Sequence, residues 1–377
     1  MTPYEQLLFC LSFGGYWFRL NDKNKLKTFL HILQNIILYA NVIYEIIGLY
    51  IEGDLQELLA GKFLYLPVSI FELTNHLILF CLRDDYDRML LTLQEIFAKD
   101  LEERRKFQQY YKYLRWGIIV YGTAQFMLWF VSFFLVLFKE IIAVIFRLEE
   151  FSFVPPMPIE NIIGLEEGRL HNWLKLIFGF LYGTAWILSY TSIMMGTFHF
   201  MAFTIIEFRI FRYQLEVYHK NMLIENFEHT MKTIIEKQCL LARLFENLKN
   251  TSSLFLGLQN SMMALNICFL LHTFTKITNA IAWYIGLYGF IGFTMIITAT
   301  CYFGDLLEDE GDAVNNILYD LPWYSLPPKQ RRYFALALLQ GRRSLKISYK
   351  GILPTNLETY LQFMQAVYSY IMLLNSV

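Results

Sequence analysis

The sequence predicts an all-α membrane protein with seven transmembrane helices, an intracellular N-terminus and an extracellular C-terminus. Three observations carry that expectation. The chain is 56% hydrophobic and only 17% charged, where a soluble protein averages about 25% charged. It offers seven long apolar runs, at 29–50, 57–82, 113–138, 173–205, 252–274, 280–303 and 356–377, and a bilayer core takes roughly 20 such residues per helix. Its Lys and Arg are placed unevenly: four in 1–28, eight in 83–115, seven in 206–251 and seven in 304–352, out of 32. The other six are Lys62, Lys139, Arg147, Arg169, Lys175 and Lys276. Positive residues collect on the cytoplasmic side, so every loop gives the same orientation. The chain then divides into a six-span region at 1–303, a cytoplasmic helical segment at 304–352 and a final helix within 353–377.

The first run, "YEQLLFCLSFGGYWFRL", carries Glu5 and lacks both a basic n-region and a small-residue cleavage site. It reads as an interfacial segment rather than a signal peptide, with Trp17 and Phe18 near headgroups. Glu45 in span one and Glu72 in span two are isolated carboxylates. A carboxylate inside a span is a functional candidate by default; an interhelical contact for Glu45 and a local hydrogen bond for Glu72 are the plainer alternatives.

Spans three and four are rich in aromatics. His199, in "FHF", is read as a packed or hydrogen-bonded side chain rather than a metal ligand. The loop from about Glu207 to Asn250 precedes span five and contains all seven Lys and Arg of the next basic group. The sequon Asn250-Thr251-Ser252 falls on the cytoplasmic side and is expected to stay unmodified. Span six is followed by "GDLLEDEGD", with acids at Asp305, Glu308, Asp309, Glu310 and Asp312. The stretch lacks the alternate-position ligands of a calcium loop. It reads as a solvated linker, or as an acidic field near a pore mouth. The run "KQRRYFALALLQGRRSL" suits a helix outside the membrane.

Gly351 and Pro354 punctuate the approach to the last helix, and Thr355 to Glu358 forms a capping-box pattern. At about 100° per residue, Gln362, Gln365, Ser369 and Ser376 share one stripe. Leu373 and Met372 flank it, while Tyr360, Phe363, Val367 and Tyr370 point elsewhere. Polar groups inside a bilayer need partners or water. Hydrogen bonding to neighbouring helices satisfies that need. So does a water-lined pore face with an apolar constriction at Leu373, which requires several copies around an axis.

Several classes find no support. The net charge of −1 gives no sign of nucleic acid. The five cysteines, Cys10, Cys81, Cys239, Cys268 and Cys301, are scattered and read as packing residues. No H-E-x-x-H, phosphate loop or paired membrane carboxylate is present, so no enzyme, metal or cofactor is expected. A G-protein-coupled chemoreceptor is the alternative function, but it predicts the opposite orientation, and the outer loop from Lys139 to His171 contains no cysteine. A transporter is disfavoured by the lack of clear inverted repeats.

"TYLQFMQAVYSYIMLL" resembles the last-span signature of insect odorant receptors. "LPWYSLPPKQRRYFALALLQGRRSLKI", followed by "GILPTNLETY", resembles the cytoplasmic helix and linker before it. The gustatory pattern is absent, since Ala366-Val367 stand where Gln-Phe belongs. The loop from Glu207 to Asn250 is too short for the co-receptor. The chain therefore resembles an odour-tuning subunit, departing from many members at Gln365, where they carry Lys.

The resemblance implies a non-selective cation channel. A tuning subunit joins the odorant co-receptor in a heterotetramer, a small volatile binds within the subunit, and permeant cations pass a central pore. It implies a multi-pass plasma-membrane protein of the olfactory neuron dendrite. It aligns the gate with Leu373 and Val377, beside Gln362, Gln365 and Ser369. It places the ligand in the outer half of the membrane among spans two, three, four and six. At that depth stand Leu66, Ser69 and Ile70; Phe126, Trp129 and Phe133; Phe178, Tyr182 and Trp186; and Tyr284 and Tyr288. Trp129 with Phe133, Phe178 with Tyr182 and Trp186, and Tyr284 with Tyr288 recur at i, i+4 and share helix faces. Such faces suit aromatic volatiles.

Overall fold

The computed structural model describes residues 81–99, 105–146, 169–221, 227–274, 280–325, 327–341 and 345–376, with scattered helical positions between 29 and 43 and at Thr74. Most of spans one and two, with Leu66, Ser69, Ile70, Glu45 and Glu72, lies outside the described residues, as does Val377.

The first described helix is α1, Arg83–Lys99. Asp84 and Asp85 sit in its first turn, where carboxylates favour the positive end of the helix dipole. Tyr86, Met89, Leu90, Leu93 and Ile96 are all buried, a spacing that makes one apolar stripe. Then follow α2, Gln108–Ile145; α3, Arg169–Asn221; α4, Phe227–Phe274; and α5, Ala280–Asp320. After a 3-10 turn at Trp323–Ser325 comes α6, Pro328–Gly341, opened by a proline whose missing N–H costs nothing in the first turn. A two-stranded hairpin, β1 (Ser348–Tyr349) and β2 (Ile352–Pro354), leads into α7, Leu357–Ser376.

The long helices overrun the bilayer. With 53 residues, α3 is about 80 Å long at about 1.5 Å per residue, against roughly 30 Å of hydrocarbon. The stretches 206–251 and 304–320, expected as loop and linker, are therefore mostly continuous helix. The expected domain boundary at 303/304 falls inside α5. Two stretches among the described residues, Leu176–Tyr218 and Gly289–Asp320, are long and apolar enough to cross a membrane.

Side-chain pairs fix the directions. Between α2 and α3, Phe107 meets Tyr213, Tyr121 meets Phe198 and Phe133 meets Phe180, so these helices are antiparallel. Thr92 accepts from Asn247 Nδ2 at 3.3 Å, joining α1 to α4. Thr300 donates to Asn260 Oδ1 at 2.9 Å, joining α5 to α4. Phe198 meets Phe303, and Arg209 meets Glu310, so α3 and α5 run parallel. These pairings bring 83–115, 206–251 and 304–352, the three segments richest in Lys and Arg, to one end of the bundle.

Much of the buried core sits at that end. Phe208, Phe211 and Leu215 of α3 join Leu241, Leu244, Phe245 and Leu248 of α4. Leu307, Val314 and Leu318 of α5 and Phe334 and Ala337 of α6 complete the cluster. Thr251 and Ser252 of the sequon are buried inside α4. Cys268 and Cys301 are buried, as packing residues are, but Cys81 and Cys239 are exposed, against expectation. Both lie at exposed helix positions, where Cys239 meets the Gln340 side chain of α6 at 3.4 Å.

Candidate functional site

α7 has two unlike faces. Thr359 and Val367 are buried, the latter only 3% exposed. Tyr360, Phe363, Tyr370 and Ile371 pack against the core beside them. The opposite face carries Gln362, Gln365 and Ser369, all exposed, and Leu373, 62% exposed. The polar stripe therefore does not bond to this chain's own bundle through the described residues. Ser369 Oγ instead donates to Gln365 O one turn back, at 3.0 Å. Leu361, Tyr368 and Met372 are exposed on the same side.

The foot of α7 is built differently from the expected capping box. The side chain of Asn356 caps the helix: its Oδ1 accepts from Thr359 N at 2.9 Å and from Thr359 Oγ1 at 2.8 Å. Thr355 is one residue too early. It is buried, and its N–H donates to Ile347 O at 2.9 Å. Leu357 N donates to Asp305 Oδ2, on α5, at 3.2 Å. Gly304 lies so close that a Cβ there would stand 1.8 Å from Thr355 O.

The hairpin holds this foot from below. Lys350 and Gly351 have φ of 50° and 77°, the two left-handed residues of a tight two-residue turn. Leu353, at φ 53°, marks the bulge that shifts the register between Ser348↔Pro354 and Tyr349↔Ile352.

The acidic stretch is helical, and Asp305, Glu308 and Glu310 are engaged while Asp309 and Asp312 are exposed, which corrects the linker reading. Glu310 is only 5% exposed; its two oxygens accept from Arg209 Nε at 2.5 Å and Arg212 Nη1 at 2.7 Å. The Arg209 guanidinium also lies over the Tyr110 ring, 5.5 Å from its centroid. Glu308 pairs with Lys346 at 2.9 Å, and that hydrogen bond holds the Lys346 ammonium above its ordinary range. An 'LLEDEG' written on one helix turns its acids to different neighbours, which a linear reading of charge does not reveal.

The expected ligand residues are spread more loosely. Phe133 is half-buried and its ring lies 4.5 Å from Phe180. Tyr182 is buried at 4% exposure, while Phe178, one turn away, is 53% exposed. Phe126 is exposed and stacks on Phe130. Trp129, Trp186, Tyr284 and Tyr288 stand on helices, but their side chains lie outside the described residues.

The bundle core also holds polar residues, of which sequence reasoning singled out only His199, as a packed side chain. His199 is buried with its ring 5.4 Å from Phe203. Glu207, expected in a loop, is buried and accepts from Tyr111 OH at 3.1 Å. Gln259, Asn260 and Asn266 are buried along α4.

Comparison with known proteins places this architecture. The sequence model of the "7tm Odorant receptor" family matches residues 59–368. Odorant receptor 2a of Drosophila melanogaster is 31% identical over 85 residues, 22% of this chain and 21% of that relative; the match spans about a fifth of that protein's length. The olfactory receptor OR5 of Machilis hrabei superposes with a TM-score of 0.79 at 13% identity, covering 98% of this chain and 96% of that one. The same receptor in complex with eugenol gives a TM-score of 0.80 at 12% identity, covering 99% and 97%. The fold is thus the seven-transmembrane helical fold of an insect olfactory receptor, embedded in a membrane and belonging to a receptor rather than an enzyme family. The chain belongs to the 7tm Odorant receptor family.

Proposed function

We propose that the chain is the odour-tuning subunit of an odorant-gated, non-selective cation channel. It assembles with the odorant co-receptor as a heterotetramer in the plasma membrane of the olfactory neuron dendrite. One observation carries the reading: the face of α7 with Gln362, Gln365, Ser369 and Leu373 is turned away from the chain's own core, while Val367 opposite is buried. A polar membrane face left open by its own subunit needs water or another subunit. Four such faces around an axis supply a hydrated wall, and Leu373 supplies an apolar ring that closes by dewetting. The convergence of the Lys- and Arg-rich segments at one end of the bundle supports an intracellular N-terminus.

The ligand is a small volatile held among spans two, three, four and six. Eugenol, an aromatic volatile, is bound by the structurally similar OR5, and the aromatic layer around Phe133, Phe180 and Tyr182 favours the same class here.

The test is whole-cell current in cells expressing this chain, a co-receptor, or both, with G-protein signalling blocked. A cation current evoked by a volatile only in the pair is the expected result. Responses that appear only with G-proteins active establish a G-protein-coupled chemoreceptor instead.

A further inference from the structure

The geometry points to Asp305 as the positioning residue that passes movement of α5 to the pore helix, an inference that rests on the channel reading above. A helix leaves its first four N–H groups without partners inside the helix. In α7, Asn356 serves Thr359 N, and the carboxylate of Asp305 serves Leu357 N across the gap between helices. The cap of the pore helix is therefore shared between α7 itself and α5. Its negative charge also faces the positive end of the helix dipole.

The contact beside it is rigid. Gly304 meets Thr355 backbone to backbone, with no room for a Cβ, and Thr355 is tied on its other side to Ile347. One further turn along α5, Glu308 holds Lys346, just before the hairpin. Asp305 and Glu308 lie three residues apart and share a face toward the foot of α7. Glu310 is turned about 140° from Asp305, and there Arg209 and Arg212 of α3 hold it.

α5 is thus clasped by α3 on one side and holds the foot of α7 on the other. The outer parts of α3 and α5 carry Phe178, Tyr182, Trp186, Tyr284 and Tyr288, the residues expected around the ligand. A rotation or shift of α5 driven at that end reaches α7's foot through Cys301, beside the Tyr360 backbone, and then through Gly304 and Asp305, against Thr355 and Leu357. Packed helices move as discrete units rather than bending continuously, so the joint transmits the displacement instead of absorbing it.

The experiment compares Asp305→Ala and Asp305→Asn with the native residue in cells co-expressing the co-receptor. Surface level, odorant concentration–response and reversal potential are read together, and amide exchange at the foot of α7 is followed in the purified receptor. Loss of a capping partner corresponds to about a fivefold change. The expected result is exchange at Leu357 faster by about fivefold or more in Asp305→Ala, with α6 unchanged. A similar rise in half-maximal odorant concentration, an unchanged reversal potential and a smaller effect in Asp305→Asn accompany it. Equal exchange at Leu357 in native and Asp305→Ala proteins overturns the cap. Faster exchange with an unaltered concentration–response overturns the transmitting role. A shifted reversal potential with unaltered concentration–response overturns it too, assigning Asp305 to the permeant ions. A silent native pair strikes at the channel reading and is seen before any variant is compared; with it, Asp305 has no gating to transmit.

Discussion

Arg212 on α3 donates to Glu310 on α5 across 2.7 Å, and Glu310 is almost wholly buried there. Arg209 grips its other oxygen. Removing the carboxylate leaves Arg209 without its ion-pair partner and Arg212 with only Glu216, at 3.9 Å, although each guanidinium keeps partial solvent access. The full cost of breaking a buried pair, about 3–5 kcal/mol, is therefore reduced. Glu310→Ala is expected to destabilise the receptor by about 2 kcal/mol. Glu310→Gln, which keeps the shape and one acceptor, falls between it and the native protein. Thermal unfolding of the purified receptor checks the order.

Gly304→Ala drives a Cβ into the Thr355 carbonyl, and backbone on both sides offers no easy relief. Overpacking of this kind costs about 1–3 kcal/mol. Gly257, in the interior of α4, has open space where a Cβ would go. Gly257→Ala is expected to be neutral or stabilising by up to about 1 kcal/mol, from helix propensity. Surface expression and unfolding temperature are expected to fall for Gly304→Ala and to hold or rise for Gly257→Ala.

Leu373 projects from α7 away from the bundle, so its replacement leaves the subunit's packing intact. Leu373→Ser is expected to raise the standing current of the co-expressed pair in the absence of odorant, because a polar ring holds water where an apolar one expels it. The measurement is holding current before and after washing in a pore blocker, at matched surface expression.

Among the described residues, Phe133 and Phe180 form the closest aromatic contact between α2 and α3. Phe133→Ala removes it and opens space. The half-maximal concentration of an aromatic agonist is expected to rise by about three- to tenfold, as one aromatic pair contributes about 0.5–1.5 kcal/mol. An aliphatic agonist should be affected less. Concentration–response curves for the two classes decide it.

Tyr111→Phe removes the hydroxyl that donates to Glu207 inside the α2–α3 contact. Leaving a buried acceptor without its partner costs about 1–3 kcal/mol, and Glu207 stays buried when the bond is lost. A comparable drop in unfolding free energy is expected, read by thermal unfolding with Tyr110→Phe, an exposed neighbour, as the control.

Much of the architecture was legible because the bilayer writes it into composition. Runs of apolar residues and the placement of Lys and Arg gave the spans, and the wheel gave the two faces of α7 that Val367 and Leu373 now mark. What escaped was everything decided by helices continuing beyond the membrane. Nothing in "GDLLEDEGD" taken alone says that Glu310 will be buried, since its burial depends on Arg209 and Arg212, about a hundred residues earlier. The cap at Asn356 was displaced by one residue because Thr355 is claimed by Ile347, a tertiary contact that outweighs the local capping pattern. The Lys350-Gly351 turn was hidden because lysine is a poor advertisement for a left-handed backbone. Of the pocket, the i, i+4 spacing told which residues share a helix face, but not that Phe178 and Tyr182 would differ so widely in exposure.

The packed end of the bundle has a consequence for biogenesis. Met89, Thr251 and the pair Leu307 and Phe334 belong to one compact core, yet in the chain these three groups are separated by membrane crossings. They can meet only if every intervening crossing has been made with the correct parity. A nascent chain that skips one span delivers α1 and α4, or α4 and α6, to opposite sides of the bilayer and leaves their apolar faces bare. Completion of this core therefore serves as a checkpoint on insertion, converting an error of threading inside the lipid into an exposed sticky surface that chaperones outside it can detect.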